Sequence, residues 1–170
     1  YPKRRAYVVT PKDPPQVHVL ERGSPFQPGE EVTAAGVACI QGPSPDFGLT
    51  SQAPDGERRR ALAEWIGNDR NPLFARAMVN RLWHYHFGRG FVETPSDLGV
   101  SGGMPSHPEL LEWLASELRD SGWSLKRMHR LILTSATYRQ TSRLNPEAAR
   151  IDADNRLLWR VTPRRVEAEV

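Results

Sequence analysis

The chain has 170 residues, with 23 Lys and Arg against 20 Asp and Glu, so its formal net charge is only +3. A charge so nearly balanced does not by itself indicate a polyanionic partner. A single cysteine, Cys39, excludes an internal disulfide and any Cys-x-x-Cys motif for metal or haem attachment within these residues. The apolar runs are far shorter than the ~18 residues of a membrane-spanning helix, so no membrane span is expected here.

Residues 1–56 are predicted to form an extended entry segment, because they hold more than half of the prolines. Proline lacks an N–H and fixes φ, which excludes long helices and central strands. Two short extended pieces, Ala6–Val9 and Val17–Leu20, flank the turn residues Lys12–Pro15 and predict a small β-ribbon. A Pro/Gly-rich linking segment is predicted to follow at Gln41–Pro54.

From residue 57 to residue 170, apolar side chains recur with a 3.6-residue period, which predicts a helical domain. Its first helix is predicted at Arg58–Ile66, with Gly67 as the stop. The second is predicted at Pro72–Phe87, because proline at the first helical position loses no hydrogen bond. This second helix carries a broad apolar stripe, which indicates deep packing. The stripe comprises Phe74, Met78, Val79, Leu82, Trp83, Tyr85 and Phe87.

The rest of the chain predicts further helices after His107, Ser124 and Asn145. Proline follows His107 and Asn145 directly, and Ser124 is a favourable N-cap for a helix that we expect to continue through Ala136. The residues Thr162–Glu167 read as a helix start without a stop, so the helical domain is expected to be truncated at its C-terminus. The predicted fold is mainly α: an irregular helical bundle with a small N-terminal β-ribbon and a Pro/Gly-rich linking segment.

The second predicted helix also carries a polar row. Arg76, Asn80 and His84 follow an i, i+4, i+8 spacing that places them on one face, and Arg81 is their neighbour on the helix surface. The glycine-bracketed loop at 88–104 is expected to face this row. Row and loop together could form a polar ligand pocket. The alternative is that these side chains tie down the loop backbone by hydrogen bonds, which is the commoner use of buried polar groups.

Acid–base chemistry would need a carboxylate beside an imidazole, and the loop supplies Asp97 for pairing with His84 or His107. His107 has the simpler interpretation of a helix cap before Pro108. No metal site is predicted, because His84 and His86 point away from each other on their helix and no tight cluster of His, Cys or Asp occurs.

Two further polar groups lie towards the C-terminus. Tyr138, Arg139 and Gln140 offer a phenol, a planar cation and an amide, which suit a carboxylate or a sugar hydroxyl. Alternatively, Arg139 interacts favourably with the negative C-terminal end of its helix dipole.

Residues 119–143 carry six basic residues against Asp120 alone, and their two helices resemble a helix-turn-helix in outline. A local basic run is usually a solvated face, so no nucleic-acid partner is expected.

Four stretches together resemble a known family: Asn80–Val92, Thr94–Gly99, Ser106–Leu111 and Thr134–Gln140. The sequence is similar to the PSD-one domain of planctomycete bacteria, also called domain of unknown function fifteen-fifty-three. Residues 17–29 resemble the entry segment of that family, so the resemblance covers nearly the whole chain. One departure lies in the loop, which reads Ser-Asp-Leu-Gly where relatives commonly carry Asp-Asp-Phe-Gly.

The resemblance implies context more than chemistry. Family members are typically large and exported, with a cytochrome c-like module upstream, so haem is expected only outside these residues. The expected function is an accessory or binding domain of such a planctomycete-type multidomain protein, associated with cytochrome c-like modules or polysaccharide handling. Its expected partners are other domains of the same polypeptide and a carbohydrate ligand. A hydrolytic domain using Asp97 with His84 or His107, and a helix-turn-helix nucleic-acid binder, are the alternatives. The family assigns no catalytic residue, so the question of enzymatic activity stays open.

Overall fold

A computed structural model of the chain describes residues 10–95 and 97–163. The chain separates into two compact units, Tyr1–Pro72 and Leu73–Val170. In chain order the elements are β1 (His18–Leu20), β2 (Pro28–Glu31), α1 (Asp55–Ile66), α2 (Pro72–Phe87), α3 (Pro108–Asp120), α4 (Leu125–Thr134), α5 (Ala136–Arg139) and α6 (Pro146–Ile151). The prediction of a mainly α fold with a small N-terminal ribbon is confirmed.

The ribbon of the first unit is a local hairpin. β1 pairs antiparallel with β2, with His18 opposite Glu31 and Leu20 opposite Pro28. The connection begins with a 3-10 turn in which Arg22 takes φ +50°, a left-handed conformation that reverses the chain over few residues. The partner of β1 is therefore the strand that follows it. The other predicted piece, Ala6–Val9, lies outside the described residues.

The first unit also contains α1, which begins at Asp55, earlier than the predicted Arg58. An acidic residue in the first turn favours this earlier start, because the helix dipole is positive there. Near the end of the helix Trp65 is buried, and its indole lies so close to Gly36 that a Cβ there would be 2.5 Å from Cε2. Asn71 Nδ2 donates to the Trp65 carbonyl at 3.2 Å. Trp65 thus holds the end of α1 within its unit.

The second unit is built around α2, whose predicted bounds are confirmed. Gly88, at φ +82°, ends this helix in the left-handed conformation that glycine adopts without strain. Trp83 stacks between Phe87 and Phe91, with ring centroids 4.1 and 4.4 Å away. The surrounding core consists of Val79, Leu82, Phe91, Val92, Leu111, Leu114, Leu118, Met128 and Ile132. Tyr85 was predicted in the apolar stripe, but this is wrong: it is 70% exposed, because it lies on a different side of the helix from the buried Val79 and Trp83.

The predicted helix after Ser124 is interrupted. Ser124 caps α4 as predicted, since its hydroxyl accepts from the Arg127 N–H. Ser135, however, takes an extended conformation at ψ 151° and separates α4 from α5. Its hydroxyl donates to the Ile132 carbonyl at 2.7 Å and accepts from the Tyr138 N–H at 3.2 Å. One serine thus ends the first helix and caps the second, and Ala136 is consequently exposed rather than aligned with the core.

After α6, polar side chains fold the chain back on itself. The Asp152 carboxylate accepts from the N–H groups of Arg156 and Leu157 at 3.0 and 2.7 Å. Asn155, buried and left-handed at φ +54°, donates to the Arg160 carbonyl at 2.8 Å. Gln140 donates to the Leu158 carbonyl at 2.6 Å and so fixes this segment to the end of α5. Most of the helix start predicted at 162–167 lies outside the described residues.

Candidate functional site

The side chain of Asn80 holds the start of the loop after α2. Asn80 is completely buried, and its amide Nδ2 donates to the Val92 carbonyl at 3.0 Å while Oδ1 accepts from the Val92 N–H at 2.9 Å. The N–H and the carbonyl of the buried Val92 are thus both hydrogen-bonded to a side chain of α2. Gly90 makes this approach possible, since a Cβ there would lie 2.6 Å from Asn80 Oδ1. The loop therefore starts from a fixed point against the helix.

Beyond this point the loop folds around its own polar groups. The Thr94 hydroxyl donates to the Asp97 carbonyl at 2.8 Å, and the Asp97 carboxylate accepts from the Gly99 N–H at 2.9 Å. The Ser106 N–H donates to the Phe91 carbonyl at 2.9 Å and closes the base of the loop. Asp97 thus stabilises the loop that carries it.

A cleft of about 380 Å³ lies between this loop, α2 and α3. Its apolar walls include Leu73, Leu98, Met104 and Leu111, and backbone of Gly99, Gly102 and Gly103 borders it. Arg76 of α2 and Glu112 of α3 line its polar wall. The two form a double contact, with Nε–Oε1 at 2.6 Å and Nη2–Oε2 at 2.9 Å. Their side chains stay 36% and 54% exposed, so both face solvent as well as each other.

The other members of the predicted polar row lie elsewhere. Arg81 is exposed, and among the described residues its side chain has no hydrogen bond or ion pair. His84 is half-buried, with its ring edge against Tyr85 at 5.7 Å. The row therefore divides: Arg76 reaches the cleft and Asn80 holds the loop, whereas Arg81 does not contribute to it.

Asp97 and the two candidate imidazoles are not joined by a hydrogen bond or ion pair anywhere in the ranges 10–95 and 97–163. His107 occupies the N-cap position of α3 without a side-chain cap bond. Its Nδ1 lies 2.9 Å from Ser106 Oγ, and its ring edge meets Phe91 at 6.2 Å. The Asp97 carboxylate accepts from the Gly99 N–H instead.

The three candidate residues near the end of α5, Tyr138, Arg139 and Gln140, do not line the cleft. Gln140 anchors Leu158, and Tyr138 lies edge-on to Phe87 at 5.6 Å and to His86 at 5.8 Å. Arg139 is exposed. Tyr138 and Gln140 therefore serve packing and chain connection here.

Sequence reasoning missed two long-range pairs, Arg76–Glu112 and His86–His129. His86 Nε2 lies 2.8 Å from His129 Nδ1, and the ring centres are 5.1 Å apart. The difference between these two distances is about the sum of the two ring radii. The two nitrogens therefore point at each other along the line between the rings, as in a hydrogen bond, rather than converging on an ion. Neither pair leaves a signal in the sequence, because each joins helices that are distant along the chain.

In the part of the chain that the structure describes, no group of three or more His, Cys, Asp or Glu side chains lies close enough together to hold a metal ion. Within the same residues, no helix has the length and apolar character needed to cross a membrane.

Comparison with known proteins places the chain in a family. No curated protein and no solved structure matches the sequence significantly. A family model described as "Protein of unknown function (DUF1553)", named PSD1, matches residues 58–170. The matched part includes α2, the loop, the cleft and both long-range pairs, and it agrees with the resemblance noted from the four motifs between Asn80 and Gln140. Residues 17–29, whose resemblance to the family was also noted, lie outside the matched part. The chain therefore belongs to the PSD1 (DUF1553) family.

Proposed function

We propose that this chain is a binding domain of a larger exported multidomain protein, and that it holds an uncharged carbohydrate in the cleft between α2, α3 and the loop. The exported, multidomain context follows from the planctomycete-type family resemblance, in which any haem belongs to a separate cytochrome c-like module. The observation that carries the ligand proposal is the Arg76–Glu112 pair on the wall of the cleft. The cleft volume of about 380 Å³ lies in the ~300–1,000 Å³ range of small-molecule sites.

The chemistry of this wall favours a neutral ligand with hydroxyl groups. Arg76 and Glu112 neutralise each other, so the pair has little net charge to attract an ion. After their mutual bonds, the guanidinium retains free N–H donors and the carboxylate retains free lone pairs. A sugar hydroxyl both donates and accepts, so one diol can satisfy both partners. The C–H faces of a sugar ring would pack on apolar side chains such as Leu98 and Met104.

The hydrolytic alternative receives less support. A carboxylate that orients a catalytic imidazole must be hydrogen-bonded to it, and among the described residues Asp97 makes no hydrogen bond to His84 or His107. The carboxylate of Asp97 stabilises its own loop instead. Ligand binding in the cleft, in contrast, does not require a carboxylate paired with an imidazole.

The test is a titration of the protein with a panel of neutral oligosaccharides, followed by NMR. A ligand should shift the amide signals of Gly99, Gly102 and Gly103. Glu112→Gln should weaken binding about tenfold, because hydrogen bonds to a charged partner contribute about 1.5–3 kcal/mol. The matched control is Glu117→Gln, which disturbs the exposed Arg127–Glu117 pair outside the cleft. Absence of shifts at the cleft with every sugar, or equal weakening by both variants, would contradict the proposal.

A further inference from the structure

The second unit has a strongly one-sided distribution of charge. Between Asp120 and Glu147 the sequence contains five Lys and Arg and no acidic residue. Since the whole chain carries only +3, the remaining residues are net acidic. The five cations lie on α4, on α5 and in the connection to α6, so positive potential is concentrated on this part of the unit.

Most of these cations have no counter-charge among the described residues. Among the described residues, Arg127 pairs with Glu117 at 3.3 Å. The other four are exposed, and their side chains make no hydrogen bond or ion pair within those residues. They are Lys126, Arg130, Arg139 and Arg143. Unpaired surface cations keep their full attraction for an external anion, because no internal partner has to be displaced.

The orientation of α4 places charge and an apolar side chain on one outward face. Met128 and Ile132 are buried and fix the inner side of the helix. Lys126, Arg130 and Leu133 follow i, i+4, i+7 spacing, so they share the opposite, outward side. Leu133 is 41% exposed among these cations. Leu125 and Leu144, in and beyond α4, are exposed as well.

We propose that this outward face of α4 binds a membrane surface rich in anionic phospholipids. Headgroup phosphates would pair with the unpaired cations, each contributing about a fivefold gain in partitioning, which corresponds to ~1 kcal/mol. The exposed part of Leu133 would enter the apolar boundary beneath the headgroups. A soluble polyanion such as nucleic acid has phosphates for the cations but no apolar layer for Leu133, and for this reason the lipid surface fits better. The proposal is independent of the sugar cleft, whose lining residues are different.

The experiment measures binding of the protein to large unilamellar vesicles by co-sedimentation at low salt. Vesicles of equal parts phosphatidylglycerol and phosphatidylcholine should bind the protein, whereas phosphatidylcholine alone should not. The double variant Lys126→Gln, Arg130→Gln should lower the partition coefficient about 25-fold. The control Arg59→Gln, Arg60→Gln removes the same charge from α1, where both residues are already ion-paired, and should stay within about twofold of the parent.

A second variant separates a lipid from a soluble polyanion. Leu133→Ser should weaken vesicle binding several-fold when both proteins are compared well below their melting temperatures, because the 41% of this side chain that is exposed is available to the bilayer. Binding to neutral vesicles as strong as to anionic ones would overturn the proposal. It would be overturned equally by matching losses in the α4 and α1 double variants, or by tighter binding to duplex DNA or a polyuronate than to the anionic vesicles.

Discussion

The amide of Asn80 satisfies both the N–H and the carbonyl of Val92, at 2.9 and 3.0 Å, in a completely buried position. Removing the amide leaves two buried main-chain groups without partners, at a cost of about 1–3 kcal/mol for each group. We therefore expect Asn80→Ala to destabilise the fold by at least about 2 kcal/mol, measured by urea or thermal unfolding. Its neighbour Arg81 is exposed and unpaired among the described residues, so Arg81→Ala should change stability by no more than ~0.5 kcal/mol. Equal losses in the two variants would contradict this assignment.

A steric counterpart of that contact lies at Gly90. A Cβ at this position would meet Asn80 Oδ1 at 2.6 Å and the Val92 carbonyl at 2.7 Å, and neither atom can yield without breaking the hydrogen bonds. Gly90→Ala should therefore destabilise the protein by about 1–3 kcal/mol, as overpacked sites do. Gly103→Ala, in the same loop, would place its Cβ in open space and serves as the control. A melting temperature for Gly90→Ala as high as for Gly103→Ala would show that the contact is looser than described.

Acid should weaken the fold through Asp152. The hydrogen bond from the Leu157 N–H is the main cause that holds the pKa of this carboxyl below its usual 3.8, and a second bond from the Arg156 N–H adds to it. Because the folded-state pKa is depressed, the stabilisation is present above the unfolded value and is lost as pH falls through the folded one. Asp152→Asn should thus be less stable than the parent near neutral pH, and the gap should shrink below about pH 4.

Thermal melts across this pH range check the assignment. Asp154→Asn is the matched control, because that residue is exposed and its side chain makes no hydrogen bond within the described residues. A stability gap for Asp152→Asn that does not change with pH would place the acid-sensitive group elsewhere.

The break between α4 and α5 gives a further prediction. Ser135→Ala removes the bond to the Ile132 carbonyl and the cap on the Tyr138 N–H, and we expect a loss of about 1 kcal/mol. Thr134 offers a control, because its hydroxyl only returns to the Arg130 carbonyl of its own helix, a contact that adds little stability. Unfolding midpoints of Ser135→Ala and Thr134→Ala should therefore differ. If they coincide, Ser135 is not the residue that determines the helix boundary.

Sequence reasoning succeeded where a local rule decides the structure. Pro72 and Gly88 bracket α2 because one lacks an N–H and the other tolerates a left-handed conformation. Ser124 and Asn145 cap their helices as their short polar side chains favour. These helix boundaries depend on residues within one helical turn, so they can be predicted from the local sequence.

The parts that could not be predicted depend on contacts between distant residues. Periodicity shows that Arg76 shares a face with Asn80, but not that α3 brings Glu112 beside it. Likewise, nothing near His86 indicates His129 as its partner. Ser135 shows a different failure, since a serine inside an apolar period favours a helix interior and a cap about equally. The candidate cleft therefore emerged only when α2, α3 and the loop were placed together.

The contact between Asn80 and Val92 spans only twelve positions along the chain. Closing so short a loop costs little conformational entropy, so this hairpin of helix and loop can form soon after α2 itself. The link from Gln140 to Leu158 and the approach of Arg89 to Asp154 join more distant positions. We therefore expect the hairpin of α2 and the loop to form before the segments that these longer-range contacts join.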